Sequence, residues 1–168
     1  MKIRSVLSRV SSEGFTLIEL LLVVAIIGIM ATVLMTVIDP IDKIRLTNDT
    51  GVISTISQLG RASDAYGAGH SNSYVGGTFA NAVDDLNTAG EIKYTSTTLK
   101  APAGYAFNYL TTPAGCSTAA SSCTGYVYYV ELFSKKYKAA NAHYYYIYAT
   151  GKGCFSTTAP PDGTYTCL

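Results

Sequence analysis

The feature that most constrains this chain is an apolar run near its beginning. Leu20 to Ile38 are 19 consecutive residues without a charged side chain. A helix of that length, at about 1.5 Å per residue, reaches roughly the 30 Å thickness of a bilayer's hydrocarbon core. The run therefore predicts a membrane-spanning helix.

The charges around this run predict its orientation. Lys2, Arg4 and Arg9 all precede it, and basic residues favour the cytoplasmic side of a membrane. We therefore expect a single-pass protein with a cytoplasmic N-terminus and an exported head. A cleaved secretory signal peptide fits less well, because its apolar core is shorter and is followed by a small-residue cleavage site. Here Asp39 and Pro40 follow the run.

Two residues at the start of the run are not explained by a simple membrane anchor. Gly14 lies at the boundary between polar and apolar sequence, and Glu19 places a carboxylate among apolar residues. An ionisable group in a membrane segment is costly and marks function. The stretch GFTLIELLLVVAIIGIMA, residues 14–31, resembles the N-terminal motif of the type IV pilin family. That family includes pilins and the pseudopilins of type II secretion and DNA-uptake machines.

The resemblance implies a path of processing and assembly. A prepilin peptidase would remove residues 1–14 as a leader by cutting after Gly14, and would methylate the new amino group of Phe15. The subunit would lie in the lipid bilayer before assembly. It would then polymerise with other copies of itself and related pilins, on a membrane assembly platform, into an extracellular filament. The alternative for Gly14 is an ordinary flexible residue before a helix.

The same resemblance assigns Glu19 to assembly, and the physics of buried charge fits that role. When apolar helices leave the bilayer and pack side by side, a buried carboxylate requires a partner of opposite charge. The N-terminal amine of a neighbouring subunit can supply it. A helix displaced along the bundle would leave both charges unpaired, so the pair would also set the register of the subunits. The alternative is a glutamate that is merely tolerated at the membrane interface.

The whole pattern predicts an α+β fold, with a long N-terminal helix and an antiparallel sheet packed on the second half of that helix. Residues 15–38 are expected to form the transmembrane and filament-core helix. Apolar residues at three-to-four spacing in residues 39–67 predict its amphipathic continuation. Residues 68–168 are expected to form a globular head.

One departure from the family pattern concerns the flexibility of this helix. Many family members carry a proline where this chain has Thr36, and the nearest proline here is Pro40. Pro40 is expected to kink the helix, because proline removes a backbone donor. Loosening of the helix in a filament is then expected elsewhere, or at Gly28, Thr32 and Thr36.

The head shows one helical and three strand-like patterns. FANAVDDLNTAGEI, residues 79–92, has apolar residues at helical spacing and Gly90 as a stop. An antiparallel meander is predicted by three runs rich in tyrosine and other strand formers: Tyr105–Leu110, Gly125–Phe133 and His143–Thr150. We expect the tyrosine hydroxyls at the solvent edge of the sheet, with a few available to bind surfaces or sugars. The imperfect alternation in YVYYVELF does not show which face is buried.

Four cysteines lie in the part of the chain that we expect outside the membrane: Cys116, Cys123, Cys154 and Cys167. An even number in an oxidising compartment indicates two disulfides, and four cysteines permit three connectivities. We expect local pairs, Cys116 with Cys123 and Cys154 with Cys167. The second pair would hold the C-terminus to the last strand, similar to the C-terminal disulfide loop of many pilins. A zinc site is the alternative, although these spacings lack the close CxxC pairs of a structural site.

No residue pattern indicates catalysis, so we expect a structural protein rather than an enzyme. His70 and His143 are the only histidines, and no nucleophile-elbow or phosphate-loop motif occurs. Asp84, Asp85 and Glu91 lack the alternating oxygen ligands of a calcium loop and are expected to be solvated acids. No metal and no cofactor is predicted.

The charge balance does not indicate a nucleic-acid partner. Three of the twelve basic residues and one of the eleven acidic residues precede Phe15, so the processed chain would carry nine bases against ten acids. The interpretation that we favour is a pilus subunit, since no acidic C-terminal calcium loop of the major pseudopilin kind is evident. A pseudopilin, a signal-anchored exported domain and a membrane-anchored enzyme are the alternatives.

Overall fold

The structure is a computed structural model. It describes residues 14–118, 123–138 and 143–157, so the expected leader lies outside the described residues except for Gly14. The fold is α+β, with N-terminal helices and a four-stranded antiparallel sheet. The chain divides after Pro40 into two units, which we describe separately.

Helix α1, Leu17–Val37, contains the apolar run. None of its 21 residues is buried, and Glu19 is its only charged residue. Among the described residues it is the one helix that is long and apolar enough to cross a membrane. Length and composition therefore agree with the predicted membrane span.

The polar groups inside α1 are satisfied by the helix itself. The hydroxyl of Thr32 donates to the carbonyl of Ile29 at 2.7 Å, and that of Thr36 donates to the carbonyl of Val33 at 2.8 Å. Such bonds remove the cost of a bare hydroxyl in an apolar environment. The helix is regular through Gly28 and both threonines, and their role in loosening the helix in a filament stays a prediction.

The helical path breaks just before Pro40, where the sequence predicted a kink. Ile38 caps α1 with extended backbone, at φ −98° and ψ 106°. A proline disfavours helical backbone at the residue before it, which is Asp39. Proline also suits the first position of a helix, where an N–H has no partner to bond. Helix α2 accordingly spans Pro40–Gly69.

Helix α2 buries one face in the head. Val52, Ile56 and Leu59 recur at three-to-four spacing and are at most 1% exposed. The turn after α2 contains Ser71 and Asn72 with φ of 54° and 60°, a left-handed conformation that asparagine tolerates better than most residues. The buried face of α2, which contains Val52, Ile56 and Leu59, packs against the sheet.

Two shorter helices complete the helical part. Helix α3, Phe79–Thr88, lies within the predicted helical segment and buries Ala82, Val83 and Leu86. Helix α4, Lys135–Lys138, is a single turn in the connection after the second strand. Its four residues, KKYK, carry no apolar periodicity, and the sequence did not predict it.

The sheet is an antiparallel meander with the order β1-β2-β3-β4. Its strands are β1 Asn108–Thr112, β2 Gly125–Glu131, β3 His143–Ile147 and β4 Lys152–Ser156. The second and third predicted runs contain β2 and β3, the first overlaps β1 over residues 108–110, and the predicted meander is confirmed. The fourth strand was not predicted, because glycine, lysine and serine make three of its five residues poor strand formers.

Four tyrosines of the sheet direct their hydroxyls to α2 and not to solvent. The hydroxyl of Tyr126 donates to the carbonyl of Gly60 at 2.6 Å and to Oδ1 of Asp64 at 2.6 Å. That of Tyr146 donates to Oδ2 of Asp64 at 2.8 Å. Two more pairs join sheet to helix in the same way: Tyr128 with Ser63 at 2.9 Å and Tyr144 with Ser57 at 2.7 Å. For these four tyrosines the expected solvent-edge position is wrong, because small and polar residues of α2 accommodate the rings and bond their hydroxyls.

The middle strands are buried on both faces. One hydrophobic core lies between the sheet and α2. A second cluster contains Val127, Tyr145, Ile147 and Cys154, each at most 7% exposed. A strand buried on both faces reads as a continuous apolar run and not as an alternating one. This accounts for the imperfect alternation of YVYYVELF.

Candidate functional site

The start of α1 is held by a reciprocal pair of residues. Thr16 is the N-cap, and its side-chain oxygen accepts a hydrogen bond from the backbone N–H of Glu19 at 3.3 Å. In return, Oε2 of Glu19 accepts the backbone N–H of Thr16 at 2.9 Å and its hydroxyl at 2.7 Å. This arrangement is a capping box, which satisfies backbone donors that the first turn of a helix leaves free.

One oxygen of the Glu19 carboxylate is left open by this arrangement. Both hydrogen bonds that the carboxylate accepts use Oε2, and Oε1 bonds to none of the described residues. A carboxylate can accept about four hydrogen bonds. Glu19 can therefore bond a second donor without releasing its own helix.

The two predicted processing residues lie ahead of the helix. Gly14 and Phe15 have non-helical backbone and are exposed, Phe15 by 85%. Among the described residues other than its chain neighbours, none places an atom within 4 Å of the position that a Cβ on Gly14 would occupy. No described residue therefore crowds Gly14, where the cut is predicted.

Thr16 belongs to this site although the sequence interpretation gave it no role there. The capping-box pattern of a threonine followed three residues later by glutamate, T-L-I-E, is visible in the sequence. From the sequence we expected Thr16 at the start of the mature helix and Glu19 as a partner for the N-terminal amine, and we did not predict a bond between the two residues. The structure brings Thr16 and Glu19 into direct contact. Phe15, whose amine would be freed by the predicted cut, directly precedes Thr16.

A second polar site lies in the head around Asp49, which is completely buried. Its Oδ1 accepts the hydroxyl of Tyr105 at 2.6 Å and the backbone N–H of Phe133 at 3.0 Å. Its Oδ2 accepts the backbone N–H of Ser134 at 2.9 Å. A buried carboxylate is tolerated only with such donors. The residue was not predicted, because an aspartate among polar helix residues gives no signal of burial.

The electrostatics of Asp49 reflect two opposing effects. Burial favours the neutral acid and acts to raise its pKa, while hydrogen bonds from Ser134, Tyr105 and Phe133 favour the ionised form. The hydrogen bonds prevail, and the pKa of Asp49 lies below its ordinary value. Asp42, two turns earlier on α2, accepts the backbone N–H of Lys135 with Oδ1 at 2.6 Å. Two carboxylates of α2 thus hold the connection between β2 and β3.

Two of the acids considered for calcium have partners in the head. Asp84 accepts the backbone N–H and the hydroxyl of Ser96, both at 2.7 Å. Asp85 accepts the hydroxyl of Thr118 at 2.6 Å. Backbone and side-chain hydrogen bonds from Ser96 lower the pKa of Asp84. We expected these acids only to be solvated, and the structure shows that they also connect separate segments of the head.

The structure joins Cys116 to Cys123, as expected for local pairing, with the Cα atoms 5.4 Å apart. The carbonyls of the two cysteines accept backbone N–H groups of Gly77 and Tyr74, each at 2.9 Å. The disulfide thus holds a loop that is also bonded to the segment after α2. Cys154 is disulfide-bonded as well. Cys167 lies outside the described residues, so its pairing with Cys154 stays a prediction.

Comparison with known proteins matches the N-terminal segment of the chain, through most of α1. Residues 9–35 match a family model described as the prokaryotic N-terminal methylation motif, which is the prepilin-type motif of type IV pilins. The matched residues include Gly14, Phe15, Thr16 and Glu19. Neither curated proteins nor solved structures provide a match to the chain.

Proposed function

We propose that this chain, which carries the prepilin-type N-terminal methylation motif, is the precursor of a subunit of a type IV pilus-like filament. It enters the membrane through α1 with its N-terminus in the cytoplasm and its head exported. A prepilin peptidase cuts after Gly14 and methylates the amine of Phe15. The mature subunit then assembles through α1 with copies of itself or with related pilins.

The observation that carries this proposal is the position of the matched motif. It begins before Gly14 and ends within α1, so it contains the proposed cut, the proposed amine and Glu19 together. A simple membrane anchor requires the apolar run alone and leaves this combination unexplained.

The exposure of α1 supports a role beyond anchoring. A helix with no buried residue needs lipid or other helices around its whole circumference. Small residues let helices approach closely in an apolar environment, and α1 contains Ala25, Gly28 and Ala31 at three-residue intervals. In a filament the same surface leaves lipid and packs against neighbouring α1 helices.

Glu19 has a suitable partner at each stage of this path. In the precursor it bonds Thr16 of its own chain. Cleavage places a new positive amine at Phe15, near the positive end of the helix dipole, where a carboxylate is favourable. In the filament, Oε1 of Glu19 receives the amine of a neighbouring subunit, which gives the buried charge its counter-ion.

The prepilin-type motif fits a pseudopilin of a secretion or DNA-uptake machine equally well. That candidate shares the proposed processing and the use of α1 and differs in the filament that it builds. Loss of secretion or of DNA uptake in a strain that lacks this chain but makes normal surface filaments would favour it.

The test replaces Gly14 with leucine and follows processing and assembly separately. Wild-type chain should yield a product that begins with methylated Phe15 and is recovered in sheared filaments. Gly14→Leu should stay full length and remain in membranes, because insertion depends on the apolar run. Gly51→Leu is the matched control, since Gly51 is exposed with open space around it. A normally shortened Gly14→Leu product would refute the cut, and processed wild-type chain that enters no filament would refute the assembly.

A further inference from the structure

A cavity of about 250 Å³ opens on the head near the beginning of α2. Three segments line it. Helix α2 contributes Arg45 and Asn48, the turn at residues 103–105 forms one side, and Phe133 and Lys138 come from the connection after β2. Arg45 and Asn48 are three residues apart on a helix, so their side chains lie on one face.

The walls of this cavity are fixed by the buried Asp49. Tyr105 and Phe133 both bond its Oδ1, at 2.6 and 3.0 Å, and their rings meet edge to face at 4.9 Å between centroids. The hydroxyl of Tyr105 also donates to the carbonyl of Arg45 at 3.2 Å. Because these contacts involve all three segments, the cavity is formed before any ligand arrives.

The cavity presents positive charge without a paired acid. Among the described residues, no carboxylate forms an ion pair with Arg45 or Lys138, and both side chains are exposed. The ionised Asp49 bonds Tyr105 and Phe133 of the cavity wall, so two cations stand against one buried carboxylate and the net charge around the cavity is positive. A guanidinium, an ammonium and a side-chain amide around one cavity suit an oxyanion such as phosphate.

The covalent chain limits how far this cavity lies from a membrane. Arg45 is eight residues beyond Val37, the last residue of α1. Even a fully extended chain of eight residues spans at most about 28 Å. In a membrane-inserted precursor, phospholipid headgroups are therefore the nearest concentrated source of phosphate.

We propose that this cavity binds the phosphate of an anionic phospholipid, such as phosphatidylglycerol, in the outer leaflet of the membrane that holds the precursor. Arg45 and Lys138 contact the phosphate, and Asn48 bonds one of its oxygens or the glycerol. The contact holds the head of the inserted subunit at the membrane until assembly removes it. The inference rests on the proposed function for membrane insertion and the exported head, and it does not require that filaments form.

The test uses full-length chain in nanodiscs made of equal parts phosphatidylcholine and phosphatidylglycerol. A phosphatidylglycerol with a photoreactive headgroup is included, and its adducts are mapped by mass spectrometry. Adducts should form at residues 103–105 and 133–138. The double variant Arg45→Gln/Lys138→Gln should lower their yield about 25-fold, since each basic residue near an anionic surface contributes on the order of a fivefold effect and the two effects multiply. The matched control Lys93→Gln/Lys152→Gln removes two exposed cations elsewhere on the head and should leave the yield unchanged.

Each other outcome contradicts the inference. Equal adducts in wild type and in the double variant would show proximity without recognition. Displacement of the lipid adducts by inorganic phosphate at cellular concentrations would assign the cavity to free phosphate. Absence of adducts in nanodiscs, combined with subunit cross-links at Lys138 in filaments, would assign the cavity to a neighbouring subunit. Lipid adducts are measured in nanodiscs and assembly is measured in sheared filaments. Either result can therefore be negative while the other is positive, so failure of this inference is distinguished from failure of the proposed function.

Discussion

Thr16 donates both its backbone N–H and its hydroxyl to Oε2 of Glu19, at 2.9 and 2.7 Å. The one carboxylate of α1 therefore has a structural partner within its own chain before any neighbour is present. In lipid, where water cannot satisfy the first turn of a helix, this capping lowers the cost of both the free donors and the charge. The open Oε1 explains how the same residue can serve a second partner in an assembly.

The buried Asp49 is predicted to stabilise the head. Asp49→Asn replaces one carboxylate oxygen with an NH₂ group. That group cannot accept a hydrogen bond, so one of the donors that now bond Asp49 is left without an acceptor. We expect a loss of about 2 to 3 kcal/mol in the free energy of unfolding, typical of hydrogen bonds to a charged group. Denaturant unfolding of the full chain in detergent, followed by tyrosine circular dichroism, measures it. The exposed Glu131→Gln serves as control, and equal stability of the two variants would contradict the role of Asp49.

The pH dependence of that contribution has a defined sign. Hydrogen bonding holds the pKa of Asp49 below its ordinary value of about 3.8. The stabilisation is therefore present above that value and is lost as the pH falls through the lower pKa of the folded state. In Asp49→Asn this acid-side decrease in stability should be smaller than in wild type.

The tyrosines under α2 predict a loss of stability at alkaline pH. Burial, with hydrogen bonds to Asp64, raises the pKa of Tyr126 and Tyr146 above the ordinary value of 10.0, and burial raises that of Tyr128. Their neutral forms stabilise the fold fully below pH 10, and the stabilisation falls above it as the unfolded chain ionises. Above pH 10, each such tyrosine lowers the free energy of unfolding by about 1.4 kcal/mol per pH unit, until it ionises in the folded state as well. Tyrosinate absorbance should then develop in step with unfolding, and full ionisation of a folded head would contradict this.

Two glycines of α2 form a matched pair for packing. A Cβ on Gly60 would overlap the ring of Tyr146, whereas Gly51 has no atom within 4 Å of that position. Gly60→Ala should lower the free energy of unfolding by about 1 to 3 kcal/mol through overpacking. Gly51→Ala should raise it by up to about 1 kcal/mol, because alanine favours the helix. Equal effects of the two changes would show that Tyr146 does not pack on Gly60.

How far the sequence predicted the molecule depends on the kind of signal. Length and apolarity predicted α1, and strand propensity predicted β1 to β3, because these signals are local. The burial of Asp49 could not be predicted, since its partners Phe133 and Ser134 lie 84 and 85 residues away in sequence. The direction of the tyrosine hydroxyls depended likewise on which residues of α2 face the sheet. The Thr16–Glu19 pair, by contrast, follows from a local signal, the three-residue spacing of a capping box.

The Cys116–Cys123 disulfide is predicted to stabilise the loop that it closes. The two cysteines are seven residues apart. Closing this short loop lowers the entropy of the unfolded state, which raises the free energy of unfolding by about 2.5 kcal/mol at 25 °C. The double variant Cys116→Ser/Cys123→Ser should lose about that free energy of unfolding and remain in the membrane. Mass mapping of unreduced wild-type peptides checks the pairing. A peptide joining Cys116 to Cys154 or Cys167 would contradict it.

The most direct test of the central claim is the paired measurement of processed subunit and of filament for Glu19→Ala, expressed as the only copy. Removing a charge from α1 should leave membrane insertion intact, and cleavage after Gly14 should continue. The amine of Phe15 would then have no counter-ion inside the packed helices, so the amount of subunit in sheared filaments should fall sharply. Glu131→Ala, which removes an exposed acid of the head, should assemble as wild type does. Abundant filaments built wholly from Glu19→Ala subunits would contradict the claim that this carboxylate sets the register of assembly.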